Sequence, residues 1–408
     1  MSNKQKVPVV PKLRFPEFGV AGGWGSKELG SVCEILNNRR RPITGSDREV
    51  GPYPYYGASG IVDFVKEFIF DERLLLVGED GAKWGAFEKT AFIVEGKYWV
   101  NNHAHVLKPT EINDTLLENY LTMVDLGPFV TGAAPPKLTL GKLKSIPVPI
   151  PPSNIEQRKI ADCLSSLDEL IAAQARKVDT LKTHKKGLMQ QLFPREGETQ
   201  PRLRFPEFRD AGDWVPTALG SIASFSSGGT PSKDNPKYWN GSIPWVSASS
   251  MYELYVSKAD HYVTSLAIGN GTRIAKKGTL LILVRGSMLF KRVPMCISAV
   301  DVAFNQDVKA LQVVPSVNSI FLVYQLLANE FRIPINETGI GAGKIELADL
   351  KDFGLFIPRQ AEQKYVADCL TSLDDCITLC TQELETLKTH KKGLMQQLFP
   401  QNADEVTV

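Results

Sequence analysis

No apolar run in the chain approaches the roughly 18 residues that a membrane span requires. Its first residues, MSNKQKVPVVPKLRFPEF, hold no apolar leader core. Both absences lead us to expect a cytoplasmic protein. The six cysteines, Cys33, Cys163, Cys296, Cys369, Cys376 and Cys380, include no CxxC pair and no disulfide framework. Cys376 and Cys380 share a helical face, but only His390 lies within a few turns of them. A zinc site would lack ligands, and buried structural thiols are expected instead. Charge of one sign is scarce too. With a net charge of +2, any polyanion must be met by local clusters such as Arg39-Arg40-Arg41 or Lys276-Lys277.

Catalytic patterns are equally thin. GIGAGK, residues 339–344, fails as a phosphate loop, because Thr338 stands where the first glycine should be and Ile345 where Ser or Thr should follow. The matching stretch earlier in the chain reads Pro135-Pro136-Lys137. The shared feature is therefore a lysine after a turn, Lys137 and Lys344, suited to a phosphate-backbone contact. Glu95-Gly96-Lys97, with Asp71 or Asp80 as an upstream acid, has the ending of a Mg²⁺-dependent nuclease but no counterpart later in the chain. His103-Ala104-His105 places two imidazoles two residues apart. The aligned later residues are Asp307 and Lys309, so a strand packed against water is the expectation. No methyltransferase loop, dinucleotide glycine pattern or nucleophile triad is present. We expect no catalytic residues and no metal or cofactor held by this chain.

What the sequence does contain is a duplication. At 408 residues the chain is too long for one ordinary core, and its 43% apolar and 23% charged content is that of a globular protein. LKTHKKGLMQQLFP runs from Leu181 to Pro194 and again, letter for letter, from Leu387 to Pro400. EQRKIADCLSSLDELI from Glu156 aligns with EQKYVADCLTSLDDCI from Glu362, and LRFPEF occurs at Leu13 and Leu203. Each LRFPEF is followed by a tryptophan, Trp24 or Trp214, and then by Leu-Gly-Ser.

The repeated segments read as long helices. Ile160, Leu164, Leu167, Ile171, Gln174, Val178, Leu181, Lys185, Leu188 and Leu192 alternate steps of four and three. So do Val366, Leu370, Leu373, Ile377, Cys380, Leu384, Leu387, Lys391, Leu394 and Leu398. Ser153 or Asn154 can cap the first helix, and Pro194 and Pro400 stop both. Two narrow seams in one chain predict mutual, antiparallel pairing. Lys185 and Lys391 within the seams need water or an acidic partner.

The parts between are mixed α/β lobes. LLLVGED (74–80) and LLILVRGS (280–287) read as buried strands, and 116–124 and 319–331 as helices. The fold class is α+β: two pseudo-symmetric mixed α/β lobes joined by two long antiparallel coiled-coil helices. The expected boundaries are 1–152 for the first lobe with its arm, 153–194 for the first helix and 195–214 for a linker with the second LRFPEF arm. The second lobe takes 215–358, the second helix 359–400 and a tail 401–408. Turn-rich stretches in each lobe carry recognition chemistry. Arg39, Arg40 and Arg41 precede Tyr55, Tyr56 and Ser59, and Lys83 and Lys137 add charge. In the second lobe the candidates are Ser232, Lys233, Lys237, Ser247, Arg285, Lys291 and Lys344. Such side chains neutralise phosphates or reach base edges.

In the order of these motifs, twice over, the chain resembles the specificity subunit of a type I restriction-modification system. The resemblance is carried by Gly57-Ala58-Ser59-Gly60 after Tyr55-Tyr56, by Gly228-Gly229-Thr230-Pro231-Ser232 with Ile243-Pro244-Trp245, by the paired EQ helix entries and by the LMQQLFP ends. It implies target recognition domains that each read one half of a split site in double-stranded DNA. The paired helices would act as a ruler for the unread spacer. Two modification subunits, which bind S-adenosylmethionine and methylate adenine, would dock on this scaffold, and two ATP- and Mg-dependent restriction subunits would join them. The family offers no short base-contact motif to carry over. Two other readings stay open at this point: a duplicated scaffold that binds no DNA, and a metal-dependent nuclease using Glu95 and Lys97.

Overall fold

A computed structural model describes residues 9–339 and 341–400. Residues 1–8, Ile340 of the 339–344 turn and the tail 401–408 lie outside the described residues. The chain divides into two compact units, residues 1–176 with 380–408 and residues 177–379. Two 39-residue helices, Asn154–Leu192 and Gln360–Leu398, contribute to both units.

Within each unit the two helices run antiparallel. In the first, Lys391 Nζ meets the Asp168 carboxylate at 2.6 Å, and Gln174 Nε2 donates to the Cys380 carbonyl at 3.0 Å and to Glu383 at 2.8 Å. In the second, Lys185 Nζ meets Asp374 at 2.6 Å. The seam lysines thus find acidic partners on the facing helix. Burial follows the repeat position by position. Ile160, Leu164, Gln174, Val178 and Leu192 are buried, as are Val366, Leu370, Cys380, Leu384 and Leu398. Leu167, Ile171, Leu181 and Leu188 are half-buried, and so are Leu373, Ile377, Leu387 and Leu394. A two-stranded seam leaves its flanks to water, so partial exposure in mid-helix is its ordinary state.

Each helix start is tied to an LRFPEF arm. Arg14 Nε and Nη2 form a bidentate pair with Glu156 at 2.7 and 2.8 Å, and Trp24 Nε1 donates to the same carboxylate at 3.2 Å. In the second unit Arg204 pairs with Glu362 at 2.8 Å through both nitrogens, and Trp214 Nε1 donates at 3.1 Å. The neighbouring glutamine reaches the lobe: Gln157 accepts from Asn113 N–H and Gln363 from Asn318 N–H, both at 2.8 Å. Asn113 and Asn318 in turn cap the helices Asp114–Met123 and Ser319–Ala328. The helix ends close the same junctions. Leu13 N–H donates to Gln397 O at 3.0 Å and Leu203 N–H to Gln191 O at 2.9 Å, satisfying last-turn carbonyls. Phe399 packs on Trp24 and Tyr120, and Phe193 packs on Trp214 and Phe321.

The lobes share a plan. In the first, one sheet has the order Cys33–Ile35, Ala104–Pro109, Leu74–Gly78, Ala91–Val94. Another runs Gly60–Val65, Val50–Gly57, Lys97–Val100, Phe70–Asp71. In the second, the corresponding sheets are Ala223–Ser227, Val308–Val313, Leu280–Leu283, Met295–Ser298, Tyr255–Val256, and His261–Val263, Trp239–Val246, Val302–Phe304, Arg273–Ala275. Leu74–Gly78 and Leu280–Leu283 are buried along their whole length, as continuous apolar runs without alternation predict. The Gly228-Gly229 turn belongs to this packing: a Cβ on Gly228 would lie 2.0 Å from the Phe304 carbonyl oxygen.

Two expectations need correcting. His103 precedes the strand Ala104–Pro109, and His105, on it, faces the core rather than water. Cys33, Cys296 and Cys380 are buried, but Cys376 is exposed, because it flanks the helix seam instead of entering it. No described helix is long and apolar enough to cross a membrane.

Arg204 has an 8% exposed side chain and Glu362 a 1% exposed one. Arg204→Ala should therefore destabilise the second unit by about 3–5 kcal/mol in urea unfolding, since it strands a buried carboxylate. Adding Glu362→Gln should recover much of the loss. No recovery would mean that packing, not the charge, holds the junction.

Candidate nucleic-acid interface

The basic run of the first lobe is largely spoken for. Arg39 Nη1 bonds Glu72 at 2.7 Å, and its guanidinium lies 4.4 Å from the Phe70 ring. Arg40 Nη1 bonds Glu79 at 2.5 Å and the Ala104 carbonyl at 2.7 Å, which fixes it against the sheet. Arg41 is exposed, and its side chain has no ion pair among the described residues. Tyr55 is 1% exposed. Its hydroxyl accepts from Ile43 N–H at 3.0 Å, and Arg48 covers its ring at 4.6 Å. In this structure Tyr55 is a core side chain and offers nothing to a surface ligand. Tyr56 is half-buried against Phe92 and Tyr98, and burial raises its phenol pKa. Ser59 is exposed at the turn between Val50–Gly57 and Gly60–Val65, and Lys83 is exposed 4.0 Å from Glu88.

Lys137 joins a charge cluster at the end of the strand Leu74–Gly78. Its ammonium lies 2.8 Å from Glu79 and 3.9 Å from Asp80, and Asp80 also pairs with His103. Burial pushes the Glu79 carboxyl pKa up, but hydrogen bonds from Arg40 and Lys137 outweigh it and hold the value below the usual range. Lys137 is raised by the same contact with Glu79. His105 sits beneath the cluster, fully buried, its Nε2 2.7 Å from the Leu138 carbonyl and its Nδ1 2.9 Å from Asn37 Nδ2. This geometry makes Nε2–H the donor and Nδ1 the acceptor, a neutral ring. Burial lowers the His105 pKa accordingly. Glu79 and Asp80 follow directly on an apolar run and precede Gly81. Carboxylates at the end of a buried strand are the signal that could have marked this cluster in the sequence.

The second lobe keeps more of its cations free. Ser232, Lys233 and Lys237 are exposed in the turn before the strand Trp239–Val246, and the Ser232 carbonyl accepts from Trp239 Nε1 at 3.0 Å. Ser247 Oγ lies 3.1 Å from Ser249 Oγ, which itself bonds Asp260. Lys291 is exposed after a short turn, Ser287–Phe290. Arg285 and Lys344 stand directly opposite each other on paired strands, and Lys344 Nζ bonds Glu346 at 2.6 Å. Lys309, not among the sequence candidates, donates to Ser227 Oγ at 2.7 Å, and burial lowers its pKa.

The residues considered for a nuclease have ordinary partners: Glu95 pairs with Arg73 at 3.2 Å, and Asp71 lies opposite Lys97 on paired strands. Among the described residues no group of three His, Cys, Asp or Glu side chains is placed to hold a metal ion. What the two lobes present is a set of polar and cationic loops on rigid sheets, the kind of surface that meets a nucleic acid.

Comparison with known proteins bears on this surface. A family model described as the type I restriction modification DNA specificity domain matches residues 21–183 and again 211–389. The chain is 28% identical over 252 residues to the EcoR124I/EcoR124II type I restriction enzyme specificity subunit of Escherichia coli. That alignment covers 59% of this chain and 58% of the relative, so it spans less than two thirds of that protein's length. It is 23% identical over 428 residues to the MjaVIII specificity subunit of Methanocaldococcus jannaschii, covering 95% of this chain and 93% of that one. The fold is that of the crystallised type I restriction-modification S subunit from M. genitalium, with a TM-score of 0.62 at 14% identity over 96% of this chain and 99% of that one.

His105 gives a pH prediction. A buried base with a lowered pKa is neutral in the folded state, while the unfolded chain takes up a proton below about 6.5. The first unit should lose stability as pH falls from that value through the folded pKa. Urea midpoints at pH 7.5 and 5.5 should separate for the parent and converge for His105→Gln. An equal separation in both would place the titrating group elsewhere.

Proposed function

Because the chain belongs to the type I restriction-modification DNA specificity family, we propose that it sets the target sequence of such a complex and carries out no chemistry itself. Each lobe reads one half of a split site in double-stranded DNA. The paired helices, each about 60 Å long at 1.5 Å per residue, fix the unread spacer between the halves. Two modification subunits dock on equal surfaces of the helices and supply S-adenosylmethionine-dependent methylation. Two restriction subunits supply ATP- and Mg-dependent translocation and cleavage.

The observation that carries this reading is the contrast between the identical closing turns of the two helices, residues 181–192 and 387–398, and the unlike lobe surfaces. Lys182, Thr183, Lys186 and Gln190 are exposed, and so are their repeats Lys388, Thr389, Lys392 and Gln396. Core packing asks for none of these identities. Gly187 and Gly393 sharpen the point. A Cβ built on either meets nothing within 4 Å, yet glycine inside a helix costs about 1 kcal/mol relative to alanine. Nothing in this chain's own packing calls for them, whereas close approach of a partner helix would. The readings as a scaffold that binds no DNA and as a nuclease lack any comparable support.

Two outcomes test the reading. Inserting four residues, about one turn, in either long helix should change the preferred spacer length and leave both half-site sequences intact; a change in the half-sites instead would remove the ruler. Gly187→Leu with Gly393→Leu should leave the melting temperature unchanged or higher but abolish co-purification with the modification subunit. Undiminished co-purification would place the docking surface elsewhere.

A further inference from the structure

The strand ends Leu74–Gly78 and Leu280–Leu283 can be matched residue by residue through their hydrogen bonds. Glu79 N–H donates to the His103 carbonyl, and Val284 N–H to the Asp307 carbonyl, both at 2.8 Å. Leu138 N–H donates to the Glu79 carbonyl at 2.8 Å, and Ile345 N–H to the Val284 carbonyl at 2.9 Å. Asp80 bridges Lys137 where Arg285 pairs with Lys344. Asp80 and Arg285 therefore occupy one structural position with opposite charge.

Their surroundings differ in a way that points to a ligand. In the first lobe the position is answered from within, Asp80 by a hydrogen bond with His103 and by Lys137 3.9 Å away. In the second lobe two cations face each other directly across a strand pair, an unfavourable arrangement, and only one of them finds an anion within the lobe. Glu346 engages Lys344. Arg285 is exposed and has no ion pair or side-chain hydrogen bond among the described residues. Asp307 in the matching loop is engaged by Asn305 and Gln306 instead. Beside the cation pair Gly286 faces Gly343, and Glu337 of the third strand lies opposite Gly343 on its other side. A glycine is required there on both strands: Gly286 has φ +143°, and a Cβ on Gly343 would lie 2.9 Å from Ile335 Cγ2 and 3.0 Å from Leu289 Cβ. A free planar fork thus stands at a strand end whose neighbouring Gly343 packs against Ile335 and Leu289, so the backbone that carries Arg285 is held in place.

We propose that Arg285 reads a guanine in the half-site of the second lobe through its guanidinium fork, and that the Arg285 position is a specificity switch between the lobes. This rests on the DNA-recognition reading above. Two parallel N–H donors match guanine O6 and N7, and no other base presents that pair of acceptors in the major groove. Lys344 is ion-paired with Glu346, so Arg285 supplies the free positive charge at this position. The first lobe, with Asp80 there, does not read a guanine at this position.

The experiment uses the full chain expressed with its modification subunit, and methylome sequencing as the readout. The parent should methylate one split motif. Arg285→Ala and Arg285→Lys should methylate the same motif with a single guanine position relaxed in one half, the other half serving as an internal control of folding. With duplexes of that motif, preference for guanine over the other bases at that position should fall about 5- to 150-fold. Asp80→Ala should leave that guanine specified. An unchanged motif would overturn the proposal, as would a uniform drop at all sites with no position relaxed, the mark of a phosphate contact. Loss of all methylation by both Arg285 variants would overturn it in favour of a structural role. Absence of any split motif with the parent chain would instead sink the DNA-recognition reading itself.

Discussion

Two buried carboxylates, Glu156 and Glu362, each organise one of the two units of this protein. Each sits in the first turn of a long helix, where the helix dipole favours an anion. Each is fully desolvated, so it needs donors from elsewhere in the chain. The arginine of an LRFPEF arm supplies two and the following tryptophan a third. Once the arm is anchored there, its leucine N–H caps the far end of the other helix, and the terminal phenylalanine fills the space beneath the tryptophan. Arm, tryptophan, EQ pair and Leu-Phe-Pro ending are one interlocked junction. Their joint repetition is the repetition of a single electrostatic requirement.

The same logic governs the helix pair. A lysine in an apolar seam is a liability unless the facing helix supplies an acid, and here Asp168 and Asp374 do so. Each lysine–carboxylate pair penalises a slip of the helices, because sliding by a turn would leave a half-buried cation against leucine. Gln174 adds a further restraint: its amide binds the carbonyl of Cys380, the residue that holds its own place in the repeat. Polar groups at these positions cost stability and return a fixed register.

The long helices and their antiparallel pairing were legible in the sequence, because a seam that alternates steps of three and four over ten positions has one physical interpretation; the register was not, since it depends on which acids, Asp168 and Asp374, come to face the seam lysines. The central strands were legible as well, since runs such as LLLV and LLIL have nowhere to go but a core. The surface chemistry was less so. Arg40 and Tyr55 have the composition of contact residues, yet one is locked by Glu79 and the other is buried. Which cation is consumed internally depends on acids brought near by tertiary structure, as Glu79 is to Arg40 across 39 positions. A single strand-end reading, that Glu79 and Asp80 must be answered by cations, would have flagged Arg40 and Lys137 as structural partners. Lys309 was missed because only its burial and its bond to Ser227 set it apart.

The lobes show how a shared backbone plan tolerates different side chains at the strand ends. Their backbone hydrogen bonds superpose through the strand ends, while the side chains there pass from Glu79, Asp80, His103 and His105 to Val284, Arg285, Asp307 and Lys309. A main-chain ladder makes no demand on side-chain charge, so a position at its end can invert sign without moving. The core cannot do this: His105 is neutral and doubly bonded, and Lys309 occupies its place only by reaching out to Ser227. The separation is therefore physical. Residues at the strand ends, whose backbone ladder is satisfied whatever the side chain, are free to differ between the halves, whereas the arginine and tryptophan that answer Glu156 and Glu362 are the same in both.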